Sequence, residues 1–234
     1  MSILKKTMIV LTEGGKKSGF GHITRCVSIC NEFNKKGFKI NFIVYGDHSI
    51  KNTLNNFKFS VTNCIGDFYK DELAIKNSLV VLIDSIKISK VDILKILSLN
   101  NNVIHIDDEK QYNIVNNGFI LDWTINRFKK STVSHASKNV TYLTGSKYIP
   151  LRKEFYNSPK YVVNNTVKKV LLTFGGSDVR NITPKILGFL VDNYTNIEKK
   201  VIIGSSCKNI ENIKKISDKN TSIVIGASAE SMAR

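Results

Sequence analysis

The sequence predicts an α/β protein of two Rossmann-like lobes, each built on a parallel sheet, the second incomplete at residue 234. Three observations predict it. Short β-branched runs alternate with helix-length segments, a glycine-rich turn follows the first of those runs, and the rhythm breaks around Pro150 to Thr166 before restarting at Lys168. Strands that alternate with helices of about ten residues are joined by right-handed crossovers, which build a parallel sheet with helices packed on its faces.

Residues 7–12 (TMIVLT) form the first strand, and an apolar-periodic helix follows the glycine turn from about His22 to Lys36. After Gly37, Ile40 to Tyr45 is the second strand, and the apolar runs Leu79 to Asp84 and Val103 to Ile106 are two more, with helix-like stretches near Asp71 to Ser78 and Lys90 to Leu99. Such runs could be buried helix segments, but their length and β-branched content favour strands. Residues 1–150 thus form the first lobe, 151–166 a polar connecting segment, and 167–234 the start of the second lobe. There Val170 to Phe174 is a strand, Gly175-Gly176 a turn, Thr183 to Asn193 a helix, and Val201 to Ile203 and Ser222 to Ile225 two further strands. Three strands and about two helices are too few to cover both faces of an independent sheet, so this lobe reads as unfinished, with Ser228 to Arg234 resembling the beginning of another helix.

The composition bounds the function. With 42% hydrophobic and 23% charged residues the chain is rich enough in apolar side chains to bury a core. No apolar run approaches the roughly 20 residues that span a bilayer, and the segment after Lys5-Lys6 stops at Thr12-Glu13 without a cleavage pattern, which argues against membrane insertion and secretion and makes the cytoplasm the default. Cys26, Cys30, Cys64 and Cys207 form no CxxC pair and sit at no finger spacing from a histidine, so they are expected to be buried free thiols rather than metal ligands. A net charge of +16 could serve nucleic acid, but the lysines are spread along the whole chain without interleaved aromatic platforms, which argues against that partner and is compatible with an anionic nucleotide. The oligomeric state is left open.

The chemistry concentrates at strand ends. Gly19-Phe20-Gly21-His22-Ile23-Thr24-Arg25 joins the first strand to the first helix. Its glycines let a ligand approach the backbone, and the helix N-terminus favours an anion. Arg25 stands where a dinucleotide fingerprint needs its third glycine, so a nicotinamide cofactor is disfavoured. His22 is placed to act as a general base, with the helix N-terminus expected to keep it neutral; the alternative is a histidine that only hydrogen-bonds the loop. Arg25 is a phosphate or carboxylate partner, or a solvated helix charge. Asp84 and Asp107-Asp108-Glu109 end strands at the same edge, where carboxylates orient a histidine or a sugar hydroxyl, or cap the next helix. His105 lies within a strand and reads as a core or edge residue. Gly175-Gly176-Ser177-Asp178 repeats the strand, glycine turn and helix order, and Gly204 and Gly226 follow the next two strands. Two such turns facing each other would bracket a nucleotide diphosphate and its sugar, although a plain turn with an N-cap needs the same residue types.

Four motifs in order, Gly19-Phe20-Gly21-His22-Ile23 with Arg25, Ile106-Asp107-Asp108-Glu109, Leu151-Arg152-Lys153-Glu154-Phe155-Tyr156, and Phe174-Gly175-Gly176-Ser177-Asp178 with Asn181, resemble the UDP-sugar hydrolases of pseudaminic-acid synthesis and their spore-coat polysaccharide relatives. That resemblance implies a two-lobed glycosyltransferase-B architecture and a UDP-linked diacetamido-trideoxy sugar as substrate. It also implies that His22 activates water against the anomeric carbon, with no metal or other cofactor. Gly19, Gly21, Arg25, Asp84, Asp108, Arg152 and Glu154 fall on the substrate side, and Gly175, Gly176, Ser177, Asp178 and Gly204 on the nucleotide side. Members of the family can carry an aromatic residue two positions after the strand-end aspartate, where this chain has Ile86, and their second lobe is longer. A sugar transferase on the same fold, or a module that binds nucleotide without catalysis, are the competing readings.

Overall fold

The computed structural model describes residues 6–108, 117–124, 139–157, 162–176, 178, 180–204, 207–228 and 232. It divides into two compact units, Met1–Leu151 and Arg152–Arg234. The first contains β1 (Thr7–Gly14), α1 (Gly21–Lys35), β2 (Lys39–Gly46), β3 (Lys58–Thr62), α2 (Glu72–Asn77), β4 (Val80–Asp84), α3 (Lys90–Leu99), β5 (Val103–Ile106), β6 (Gly118–Asp122) and β7 (Val140–Thr144). The strands form one sheet in the order β3-β2-β1-β4-β5-β6-β7, and every paired neighbour is parallel.

The period-2 alternation of each strand sends successive side chains to opposite faces, and both faces are apolar because both are covered. Met8, Val10 and Leu82 meet Ile23, Cys26 and Cys30 of α1 on one side. The i, i+3, i+7 spacing of those three helix positions makes them a single buried stripe. Ile9, Leu11, Val81 and Ile83 pack on the other side with Ile75 of α2 and Ile93, Ile96 and Leu97 of α3. That second layer is fixed locally by caps. Asp71 accepts from the Ala74 N–H at the start of α2, and Ser89 and Asp92 form a reciprocal capping box on α3.

β3, β6 and β7 are additional to the expected strands. Their sequences (KFSVT, GFILD and VTYLT) mix polar and apolar residues at a length where periodicity is weak, and β3 and β7 are the sheet's edges, where exposure tolerates that mixture. Cys26 and Cys30 are buried thiols as expected, whereas Cys64 is exposed and Cys207 half-buried. Cys64 precedes a 3-10 turn at Ile65–Tyr69 on the surface rather than a core helix, which accounts for the difference.

At the carboxyl ends of β1 and β2 the backbones run closer than side chains allow. A Cβ on Gly46 would lie 1.7 Å from the Gly14 carbonyl oxygen. Gly46→Ala is therefore expected to lower stability by about 2 kcal/mol or more, read as a shifted denaturation midpoint, because a backbone atom cannot rotate away as a side chain can.

The second unit holds β8 (Lys169–Thr173), α4 (Ile182–Asn193), β9 (Glu198–Ile203), α5 (Ile210–Ile216) and β10 (Thr221–Ile225). Its parallel sheet has the order β10-β9-β8. Leu172, Val201 and Ile203 pack with Leu187 of α4 and Ile213 of α5. Lys199 is fully buried within β9 and donates to Asp218 at 2.7 Å, so its charge is paired inside the unit. Residues 162–168 carry no helix or strand. The segment expected to begin another helix, 228–234, falls largely outside the described residues.

Candidate active site

Strand order reverses between β1 and β4, which both lie mid-sheet but are followed by chain running to opposite sides. In open α/β sheets the crevice beyond the carboxyl ends of such strands is where ligands bind. Here β1 leads through a glycine loop into α1, and β4 ends at Asp84. Alternation along β4 puts Asp84 on the same face as Val80 and Leu82, the face covered by α1. His22, Arg25 and Cys26 lie within the first two turns of that helix and project towards it.

Asp84 is 1% exposed and fully engaged. Its Oδ1 accepts from His22 Nδ1 at 2.8 Å and from Arg25 Nη2 at 2.5 Å, and its Oδ2 from Arg25 Nε at 2.7 Å and from the Cys26 thiol at 3.4 Å. Arg25 continues to Asp108, with Nη1 to Oδ2 at 2.7 Å, and its guanidinium lies 5.0 Å over the Trp123 ring. A planar fork bridging two carboxylates holds both orientations, which a point charge cannot do. Arg25→Lys is expected to cost about 1–3 kcal/mol of stability while leaving the fold intact, measured by chemical denaturation.

Burial works to raise the Asp84 pKa, but the hydrogen bonds and charges of Arg25 and His22 outweigh it and leave the carboxyl below its ordinary range. Nδ1 of His22 faces two groups, the Asp84 carboxylate at 2.8 Å, which only accepts, and Arg25 Nη2 at 2.9 Å, which only donates; the shorter contact to the ionised carboxylate favours Nδ1 as the protonated nitrogen, with the lone pair of the neutral ring on Nε2. Burial works to lower the imidazole's pKa; the hydrogen bond and charge of Asp84 overcome it, aided by Glu13 and opposed by Arg25, so the net direction is upward from 6.5. The direction is opposite to the lowering expected from the helix N-terminus alone. A full charge 2.8 Å away outweighs the partial charge of a helix end. It also removes the reading of His22 as a loop-bonding residue, and of Asp84 as a cap, since Ser89 caps α3.

Of the other expected site residues, Gly19 sits at φ 78° and closes the loop by paired backbone bonds to Gly15 at 2.9 and 2.8 Å. Gly21 is the exposed first residue of α1. Asp108 joins the site through Arg25; Asp107 is buried, and Glu109 lies outside the described residues. His105 is a buried residue of β5. Arg152 and Glu154 belong to the second unit, where Lys153–Phe155 is a 3-10 turn and the exposed Arg152 guanidinium lies 5.6 Å over the Phe155 ring.

In that unit Gly175 turns the chain at φ 74° after β8, and a Cβ on Gly204 would meet the Gly176 carbonyl oxygen at 2.1 Å, so two bare backbone turns touch. Ser177 lies outside the described residues. The Asp178 carboxylate accepts from the N–H groups of Ile182 and Thr183, both at 2.9 Å, and so occupies donors that an anion at α4 would need. Asp178 thus caps α4, the alternative that the residue types of the turn left open.

Sequence reasoning missed Glu13, Cys26 as a donor to Asp84, and Trp123. A glutamate before a glycine turn reads as a solvated side chain, and the contacts of Cys26 and Trp123 depend on strand order. Among the described residues no cluster of three or more His, Cys, Asp or Glu side chains is arranged to hold a metal ion, and no helix is long and apolar enough to cross a membrane.

No family model matches the chain. An uncharacterized protein of Methanocaldococcus jannaschii is 27% identical over 237 residues, an alignment that takes in 96% of this chain and 48% of that protein. The chain therefore spans about half the length of the curated relative it matches. Among solved structures, the crystal structure of Acinetobacter baumannii MurG is similar with a TM-score of 0.57 at 11% identity, covering 97% of this chain and 69% of that one. At that identity the likeness bears on the fold alone, the α/β architecture of parallel sheets that the sequence predicts and the glycosyltransferase-B-like form that the resemblance implies.

Proposed function

We propose that the chain belongs to an enzyme that hydrolyses a UDP-linked diacetamido-trideoxy sugar, with His22 as general base. The observation that carries this reading is the 2.8 Å contact between His22 Nδ1 and the buried Asp84 carboxylate, which leaves Nε2 as the basic nitrogen. In the proposed step a water oxygen bonds to the anomeric carbon while Nε2 takes its proton. The bond from that carbon to the β-phosphate oxygen breaks, and UDP leaves with the electron pair. The imidazolium so formed is held by Asp84, itself kept ionised by Arg25. Single displacement inverts the anomeric centre. Gly19 and Gly21 offer open backbone to the sugar, and Asp108, Arg152 and Glu154 are proposed for its polar groups. Gly175, Gly176, Ser177 and Gly204 are proposed for the nucleotide.

The test is UDP release from the nucleotide sugar with no acceptor added. Release in water supports hydrolysis; release that needs an alcohol acceptor makes the protein a transferase, and calorimetric binding of UDP without turnover makes it a binding module.

A further inference from the structure

Glu13 is the penultimate residue of β1 and 1% exposed, yet alternation turns it to the sheet face opposite Thr12 and Asp84. Its Oε1 accepts from the Ile86 N–H at 2.7 Å and from the Ser85 hydroxyl at 3.2 Å, the two residues that follow Asp84. Its Oε2 is buried with no hydrogen-bond partner. Lys87 Nζ stands 4.0 Å from that oxygen, held 4.6 Å over the Tyr45 ring. Glu13 thus holds the loop donors with one oxygen, while the other meets the Lys87 ammonium at ion-pair rather than hydrogen-bond distance.

We propose that Glu13 is a positioning residue for the His22 site: it ties the segment after β4 to the end of β1, and it places a second negative charge behind the His22 and Asp84 pair. The tie makes the two chain segments flanking the switch point move together. The charge stabilises the imidazolium that forms when His22 takes a proton, a role that rests on the hydrolase reading above. Groups that bias His22 come from each neighbouring element: Glu13 from β1, Asp84 from β4, and Arg25 from α1, with Asp108 beyond β5 acting through Arg25.

Two substitutions separate tie from charge. Glu13→Gln keeps an acceptor for Ile86 and removes the charge; Glu13→Ala removes both. The His22 imidazole resonance, identified by its absence in His22→Ala, is expected to titrate roughly half a pH unit lower in Glu13→Gln than in the parent. The Ile86 amide is expected to stay slow to exchange in Glu13→Gln and to exchange about tenfold faster or more in Glu13→Ala. A His22 midpoint unmoved in Glu13→Gln, or an Ile86 amide equally protected in Glu13→Ala, overturns the proposal. Neither readout needs turnover, so a chain that releases no UDP counts against the hydrolase reading alone.

Discussion

Replacing His22 with alanine is expected to lower acceptor-independent UDP release by about 10²- to 10⁴-fold with little change in stability. The rate is expected to fall because the imidazole, hydrogen-bonded to Asp84, supplies the proposed basic nitrogen at the carboxyl ends of β1 and β4. Stability changes little because removal of the ring leaves Asp84 still paired with Arg25 at 2.7 Å. Steady-state kinetics beside thermal denaturation checks both halves. A variant that unfolds would instead mark His22 as part of the scaffold.

Asp84→Ala is expected to lower both rate and stability. The carboxylate satisfies His22, two nitrogens of Arg25 and the Cys26 thiol at once. Its removal leaves the Arg25 guanidinium with Asp108 as its carboxylate partner and frees the imidazole to accept from Arg25 Nη2 in the other tautomer. Breaking such a buried pair costs on the order of 3–5 kcal/mol, and a denaturant titration reads it directly.

The pH dependence has a defined sign. The depressed Asp84 pKa adds stability that is present above its ordinary 3.8 and is lost as the pH falls through the lower folded value. The elevated His22 pKa adds stability that is full below 6.5 and is lost as the pH rises through the higher folded value. On the proposed hydrolase reading the general base must be the neutral ring, so the acid limb of UDP release is expected above 6.5, where this pairing begins to lose stability.

Much of this was legible in the chain itself. The β-branched run ending at Thr12, the glycines before His22 and the restart at Lys168 carry the alternation of strand and helix, which is a local property. His22, Arg25, Asp84 and Asp108 were each legible as candidates because each ends a strand or opens a helix. Their meeting was not. His22 and Asp84 are 62 residues apart, and only the parallel pairing of β1 with β4, register Thr12 to Asp84, brings them together. Glu13 illustrates the same limit. Its position before a glycine turn implies solvent, and its burial comes from the segment after β4 folding over it. Asp178 was ambiguous in the sequence, because a glycine turn at a ligand and a glycine turn at a helix cap draw on the same residues.

The nitrogen of residue 22 that faces away from Asp84 either takes the proton from water or does not. Following UDP liberation across neutral pH in buffer free of any sugar acceptor decides this. A rate that climbs with pH through a single ionisation above 6.5, matching the imidazole titration of His22 seen by NMR and vanishing in His22→Ala, is the expected result. A rate that is flat across that range, or that survives the substitution, contradicts it.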